Sequence, residues 1–198
     1  MVDLLYSTDL SLFYFINHSL HNILLDVVMP WLTDINQHWS GRIILLSLWL
    51  LLLLRGGKQG RIAALMLIPS FTLSDQLNSS YLKFIFDRPR PCHILVDVQL
   101  LVPCGSGYSF PSSHAVNNLA AAVVLSHFLP RWSWAFYTFA SLMAFSRVYV
   151  GVHYPSDVLG GALIGLGCGW LVVAVYQFAE RWWNQRKASK EHDAKSSP

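Results

Sequence analysis

One stretch decides how this chain folds: residues 146–179 read SRVYVGVHYPSDVLGGALIGLGCGWLVVAVYQFA. Its second part, from Val158 to Ala179, contains no charged residue and is long enough to cross a bilayer as a helix. Its first part places Arg147, His153 and Asp157 directly before that helix. Ionisable side chains at a membrane boundary need a structural or functional reason. This boundary is therefore the first place to look for a site.

The composition of the whole chain is typical of a membrane protein. Its 198 residues are 54% apolar and only 13% charged, with a mean hydropathy of +0.40. Soluble domains carry about 25% charged residues, so the surface of this chain could not be kept hydrated. The composition also excludes a disordered chain. The net charge of +3 is accompanied by no nucleic-acid-binding motif, so no nucleic-acid partner is expected.

Charge-free intervals between turn signals predict an all-α bundle of about six transmembrane helices. The predicted spans are 11–33, 39–54, 62–86, 115–129, 132–150 and 158–179. The first of them, 11–33, is interrupted by polar residues and is expected to combine an interfacial helix with a short span. Loops are expected at 34–41, 55–61, 87–113, around 130 and at 151–156. Residues 1–180 are predicted to form one transmembrane domain, followed by a basic cytoplasmic tail at 181–198.

The basic residues predict the orientation of the bundle. An even number of spans puts both termini on one side, and a cytoplasmic tail leaves nine basic residues inside and five outside. We therefore expect a bacterial inner (plasma) membrane protein with both termini in the cytoplasm. The loops after the third and fifth spans then lie on the periplasmic or extracellular side. Arg42 and Arg88 are outer bases to which the sequence assigns no chemical role.

Three polar clusters fall at the outer ends of the spans, at 83–91, 111–114 and 146–157. Each has a structural explanation when taken alone: basic residues that snorkel, a helix N-cap, and a capping aspartate beside an interfacial histidine. Together they bring three bases, two histidines and one carboxylate to the same membrane face. This inventory suits phosphoryl transfer, which depends on positioning and on neutralising phosphoryl oxygens. No metal or other cofactor is expected, because Asp157 is the only acid near either histidine in sequence.

The three clusters resemble the motifs of the type 2 phosphatidic acid phosphatase (PAP2) family, membrane lipid phosphatases that share an active site with vanadium haloperoxidases. Lys83 to Pro91 fits K-x6-R-P, 111–114 resembles P-S-G-H, and 146–157 fits S-R-x5-H-x3-D. Ser113 stands where the family usually has glycine. The resemblance implies a haloperoxidase-like helical core and a metal-independent phosphatase.

The resemblance also implies a role for each residue. His153 would attack phosphorus and form a phosphohistidine, and Asp157 would orient its imidazole. His114 would protonate the leaving group and then activate water. The phosphoryl group would be held by Lys83, Arg90, Arg147, Ser112 and the backbone around Ser113 and His114.

A lipid phosphate in the membrane is the expected substrate, and undecaprenyl diphosphate is favoured. Phosphatidylglycerophosphate, phosphatidic acid and lipid A are alternatives, because the motifs do not read the lipid tail. A second hypothesis is a lipid phosphotransferase, which would pass the phosphoryl group to another lipid. A third hypothesis is a membrane protein that binds an anion without catalysis. The predicted spans exclude a soluble haloperoxidase.

Further residues carry structural predictions. Cys92 and Cys104 share the long outer loop, in an oxidising compartment, and are expected to form a disulfide. Glycines repeat at every fourth position of the last span and should let another helix of the same chain approach closely. They are Gly161, Gly165 and Gly169. Three polar residues lie inside a span and should face the bundle interior, where they would support Lys83 or line a cavity: Asp75, Gln76 and Asn78.

Overall fold

The computed structural model describes residues 2–196 and, within them, the side chains of 4–192. This part of the chain is all-α, as predicted. Its helices are α1 (Val2–Tyr14), α2 (Ile23–Thr33), α3 (Trp39–Arg55), α4 (Gly57–Gln76), α5 (Lys83–Phe86), α6 (Pro91–Ile94), α7 (Ser113–Phe128), α8 (Ser133–Tyr149) and α9 (Pro155–Ser196). Met1 and the last two residues of the predicted tail lie outside the described part.

The segment predicted as the first span is divided between two helices. Helix α1 passes into a π-helical turn at Phe15–Ser19, and α2 begins after Asn22. The Asn22 side chain accepts a hydrogen bond from the Leu25 N–H at 3.0 Å. Such an N-cap satisfies a donor that a helix start leaves free. The polar residues at 17–22 therefore break the apolar segment into two.

The predicted loop at 55–61 is wrong. Helix α3 passes to α4 through Gly56 alone, so the chain is helical again from residue 57. Helix α4 continues through a π-helical turn at Leu77–Leu82 into α5, and α5 ends where Asp87 adopts the left-handed conformation, with φ of 44°. This continuous arm places Lys83 at one end of the bundle.

Helix α7 forms the centre of the bundle, where it packs against α9, α8 and α4. Its closest approach is to the glycine face of α9, so the predicted contact inside the chain is confirmed. A Cβ atom at Gly165 would stand 2.3 Å from the carbonyl oxygen of Val116, and one at Gly161 would stand 2.8 Å from that of Ser112. The absence of side chains at these positions lets the starts of α7 and α9 lie side by side.

Helix α9 is the one described helix that is long and apolar enough to span a membrane by length and composition, over Pro155–His192. Helices α3, α7 and α8 are shorter, at 17, 16 and 17 residues. Helix α9 also continues to Ser196, so residues 181–196 of the predicted tail prolong the last helix.

Candidate active site

The second and third predicted clusters are joined by backbone hydrogen bonds at one end of the bundle. The N–H of Ser112, immediately before α7, donates to the carbonyl of Asp157 in the first turn of α9 at 3.1 Å. The N–H of His153 donates to the carbonyl of Arg147 at 3.2 Å, which folds the connection between α8 and α9 back onto α8. Residues far apart in the chain are thereby held in one small region.

The three predicted bases converge on the same region. Lys83 lies close enough to Arg90, Arg147 and Asp157 for its charge to interact with theirs. His114 lies within range of Lys83 and Arg147. Arg90 and Arg147 are only 6% and 8% exposed. The structure therefore brings together all the charged residues that the sequence assigned to the site.

His153 and Asp157 form a buried pair, 2% and 0% exposed. Nδ1 of His153 lies 3.4 Å from Oδ2 of Asp157, and the same oxygen accepts the Tyr154 N–H at 2.8 Å. A carboxylate facing Nδ1 leaves Nε2 free for chemistry. Burial lowers the pKa of His153 to about 4. The imidazole is therefore neutral at pH 7, as a nucleophile requires.

Several buried donors of this region have no hydrogen-bond partner among the described side chains. They are Nη1 of Arg90, Nε of Arg147 and Oγ of Ser112. An unpaired buried polar group costs roughly 1–3 kcal/mol, and a charged one costs more. A tetrahedral oxyanion would provide an acceptor for each donor and would neutralise the two guanidinium groups. The arrangement is therefore suited to bind a phosphoryl group.

Arg88 belongs to this region, although the sequence assigned it no role beyond topology. Its Nη1 donates to Oδ1 of Asp157 at 2.6 Å, and its Nη2 donates to Oδ2 of Asp9 in α1 at 2.7 Å. Its guanidinium carbon lies 3.9 Å from the centre of the Tyr154 ring. Burial opposes its charge, but Asp157 and Asp9 outweigh burial and raise the pKa of Arg88. Arg88 thus links the predicted site to the N-terminal helix.

The end of α2 also reaches the site, which sequence reasoning did not foresee. The carbonyl oxygen of Thr33 lies 3.0 Å from Nε2 of His114, and the Thr33 hydroxyl accepts from Nη1 of Arg147 at 2.7 Å. Asp34 adds a carboxylate 3.8 Å from Arg147. No local pattern marks these residues, because each is polar at a helix end in the usual way. Their partners lie far along the chain.

Ser113, which stands where the family pattern has glycine, has a hydrogen-bond partner in the structure. Its hydroxyl accepts a hydrogen bond from Nδ2 of Asn78 at 2.8 Å. Asn78 is fully buried in the π-helical turn between α4 and α5 and faces the interior as predicted. The same prediction is wrong for Gln76, which is exposed at the end of α4. The side chain that replaces the usual glycine therefore ties the first turn of α7 to the arm that carries Lys83.

The predicted disulfide is confirmed: Cys92 and Cys104 are bonded, with their Cα atoms 6.2 Å apart. It closes part of the loop that follows Arg90. Within the same loop, Nε of Arg90 donates to the carbonyl of Gly107 at 3.2 Å. The disulfide therefore limits the movement of the loop that supports Arg90.

Comparison with known proteins finds related phosphatases. A lipid A 4'-phosphatase of Porphyromonas gingivalis is 33% identical over 58% of this chain and 51% of its own length. The undecaprenyl-diphosphatase BcrC of Bacillus subtilis is 32% identical over 76% of this chain and 75% of its own length. The chain thus spans about half of the first relative and three quarters of the second.

Solved structures share the fold. LpxE of Aquifex aeolicus is 34% identical and superposes with a TM-score of 0.69, covering 83% of this chain and 94% of that one. A transmembrane PAP2 type phosphatidylglycerolphosphate phosphatase of Bacillus subtilis is 27% identical, with a TM-score of 0.57, over 87% of this chain and 86% of that one. A bacterial vanadium-dependent iodoperoxidase is 16% identical, with a TM-score of 0.66, over 85% of this chain and 48% of that one, and shows the fold alone.

The family model of the PAP2 superfamily matches residues 60–181, which contain all three motifs. That match covers more than half of the chain, and the relatives and the fold agree with it. The chain belongs to the PAP2 superfamily.

Proposed function

We propose that this protein is an integral membrane lipid phosphatase, which removes a phosphate from a lipid phosphate or diphosphate through a phosphohistidine. One observation carries the proposal. Buried donors of Arg90, Arg147 and Ser112 lack acceptors around a neutral histidine that faces a carboxylate. A site for binding alone would need the donors but not the nucleophile.

The reaction would proceed in two displacements. Nε2 of His153 attacks phosphorus, and Asp157 stabilises the positive charge that develops on the imidazole. The bond from phosphorus to the leaving oxygen breaks, and His114 gives that oxygen a proton. Water deprotonated by His114 then attacks the phosphohistidine and releases phosphate and neutral His153. Throughout, Lys83, Arg90 and Arg147 neutralise the phosphoryl oxygens.

The relatives support two kinds of substrate. Undecaprenyl diphosphate, which the sequence favoured, is supported by the relative named undecaprenyl-diphosphatase. A phosphate on a sugar or glycerol lipid is supported by the lipid A 4'-phosphatase and the phosphatidylglycerolphosphate phosphatase. Both kinds would use the same catalytic groups. Transfer of the phosphoryl group to a second lipid in place of water remains the alternative outcome of the same chemistry.

The proposed setting is a bacterial inner membrane, with six spans, both termini in the cytoplasm and the site on the outer face. The exposed apolar side chains of α3 and α9 support contact with lipid, since both helices carry several large ones. The basic residues at the end of α9 support its cytoplasmic location.

The decisive experiment is phosphate release from a panel of lipid phosphates by purified protein and by His153→Ala. The variant should lose all measurable release and remain folded in detergent, with a cooperative thermal unfolding transition at a lower midpoint, because a buried side chain is removed. His127→Ala, which changes a histidine at the far end of α7, is the matched control and should keep its activity. Full activity in His153→Ala would overturn the mechanism. Activity that EDTA removes and a divalent metal restores would overturn its metal independence.

A further inference from the structure

A cavity of about 370 Å³ opens beside His114 and extends between the helices. Side chains of α3, α4, α7 and α8 line it, under the residues that follow α2. Along α7 it follows one face of the helix from Ser113 to Ala121. The cavity thus begins at the proposed acid and leads away from it, which is where the leaving part of a substrate must go.

One wall of the cavity is polar. Asp75 of α4 and Asn117 and Asn118 of α7 line it. Nδ2 of Asn117 donates to Oδ1 of Asp75 at 3.3 Å, and Nδ2 of Asn118 donates to the carbonyl of His114 at 2.9 Å. Oδ2 of Asp75 has no hydrogen-bond partner among the described side chains and is not sealed from the cavity. This carboxylate oxygen is therefore free to accept a hydrogen bond from a donor on a bound molecule.

A second part of the lining is apolar, and it includes Phe71, which lies one helical turn before Asp75 on α4. Leu45 of α3, Phe71 of α4, and Phe139 and Met143 of α8 line it. Phe71 is 59% exposed and Phe139 is 39% exposed, so this wall reaches the lateral surface of the bundle. An amphipathic molecule in this cavity could therefore keep its polar groups on the Asp75 wall and extend its chains sideways into lipid.

We propose that this cavity is the leaving-group subsite, and that Asp75 and Asn117 select a lipid whose phosphate is carried by a hydroxylated, acylated sugar. The inference rests on the proposed function, because it assumes that His114 protonates the leaving oxygen. As the bond between phosphorus and oxygen breaks, that oxygen takes the proton from His114. The dephosphorylated sugar, which now carries a hydroxyl at this position, remains in the cavity. A sugar hydroxyl or amide N–H then donates to Oδ2 of Asp75.

The same wall disfavours two of the other substrates, a prenyl diphosphate and phosphatidic acid. Attack on a prenyl diphosphate expels a prenyl phosphate, whose negative charge would be repelled by the Asp75 carboxylate. Phosphatidic acid releases a diacylglycerol, whose ester groups are acceptors and cannot pair with a carboxylate. A site built around a hydrogen bond rejects a substrate that lacks the matching group, because its own polar atom is then left unpaired.

The test compares three probes with the purified protein: a diacylated glucosamine 1-phosphate, dioleoyl phosphatidic acid and farnesyl diphosphate. The wild type should hydrolyse the sugar phosphate with a kcat/KM at least ~10-fold above the other two. Asp75→Asn should lower kcat/KM for the sugar phosphate about tenfold and raise it for farnesyl diphosphate, because the repulsion is gone. Gln76→Leu alters the next, exposed residue, which does not line the cavity, and should keep the wild-type ranking.

The wild-type ranking requires no variant, so misfolding of Asp75→Asn cannot obscure the result. A wild type that prefers farnesyl diphosphate would overturn the inference and leave the proposed function standing. An equal loss on all three probes in a folded Asp75→Asn would do the same. Absence of phosphate release from every probe by the wild type would overturn the proposed function, and this inference with it.

Discussion

Arg88 donates from Nη1 to Oδ1 of Asp157 at 2.6 Å. The other carboxylate oxygen of Asp157 faces His153, so the carboxylate is held from two sides. Arg88 is itself fixed by Asp9 of α1, whose Oδ1 also accepts the Ser156 N–H at 2.9 Å. The orientation of the proposed nucleophile therefore depends on a helix at the other end of the chain.

Replacing Arg88 by alanine should reduce kcat by ~10²-fold, because misplaced catalytic groups cost about that much. The KM should change little, since Arg88 bonds carboxylates and not the proposed phosphoryl site. Arg88→Lys should recover only part of the activity. The two Nη atoms of the planar guanidinium group bond Asp157 and Asp9 at the same time, and the single ammonium group of lysine cannot reproduce this geometry. Steady-state kinetics with a water-soluble phosphate ester measure both constants.

Asp9→Asn provides the matching test of the link to α1. It should lower kcat by less than Arg88→Ala, and the double variant should be no worse than Arg88→Ala alone. Arg131→Ala alters an exposed arginine away from the site and should behave as wild type. Additive losses in the double variant would show that Asp9 and Arg88 act independently.

Stability should fall in acid through His153. Its pKa is about 4 in the folded protein and near 6.5 when unfolded, so between these values the unfolded state binds a proton that the folded state does not. The contribution of His153 to the free energy of unfolding is therefore complete above about pH 6.5. As the pH falls toward 4, this contribution decreases by up to roughly 1.4 kcal/mol per pH unit. Thermal unfolding in detergent should show this slope in the wild type and a shallower one in His153→Gln. Parallel slopes would mean that His153 titrates normally in the fold.

Ser113→Gly, which restores the usual residue of the family, should destabilise this chain. It removes the acceptor of the buried Asn78 amide, and an unpaired buried amide costs roughly 1–3 kcal/mol. Activity per folded molecule should stay within a few-fold, because the backbone donors of α7 remain. Ser80→Ala removes an exposed hydrogen bond in the same π-helical turn and should have almost no effect on unfolding. A stability equal to that of the wild type in Ser113→Gly would show that Asn78 finds another acceptor.

The sequence predicted the features of this fold that have a local pattern. The disulfide, the glycine face of α9 and the joining of the motifs at one end of the bundle each followed from spacing or from motif order. Asp9 and Thr33 could not be predicted, because their partners lie more than 75 positions away in the chain and a single polar residue in or at the end of a helix has no special signature. The sequence predicts Arg88 only as an outer base, because neither of its partners, Asp157 and Asp9, can be identified without the fold.

Gly165→Ala should separate α7 from α9 and weaken the site from a distance. The added Cβ would stand 2.3 Å from the Val116 carbonyl, and that backbone cannot yield without moving α7. Overpacking of this kind costs roughly 1–3 kcal/mol, and it would strain the bond between Ser112 N–H and the Asp157 carbonyl.

Gly167→Ala is the matched control two residues on. A Cβ there meets nothing within 4 Å, so alanine should stabilise α9 by about 0.5–1 kcal/mol. Thermal unfolding of both variants in detergent, with their kcat, tests the contact; a loss of similar size in both would show that helix propensity, and not close packing, governs this face.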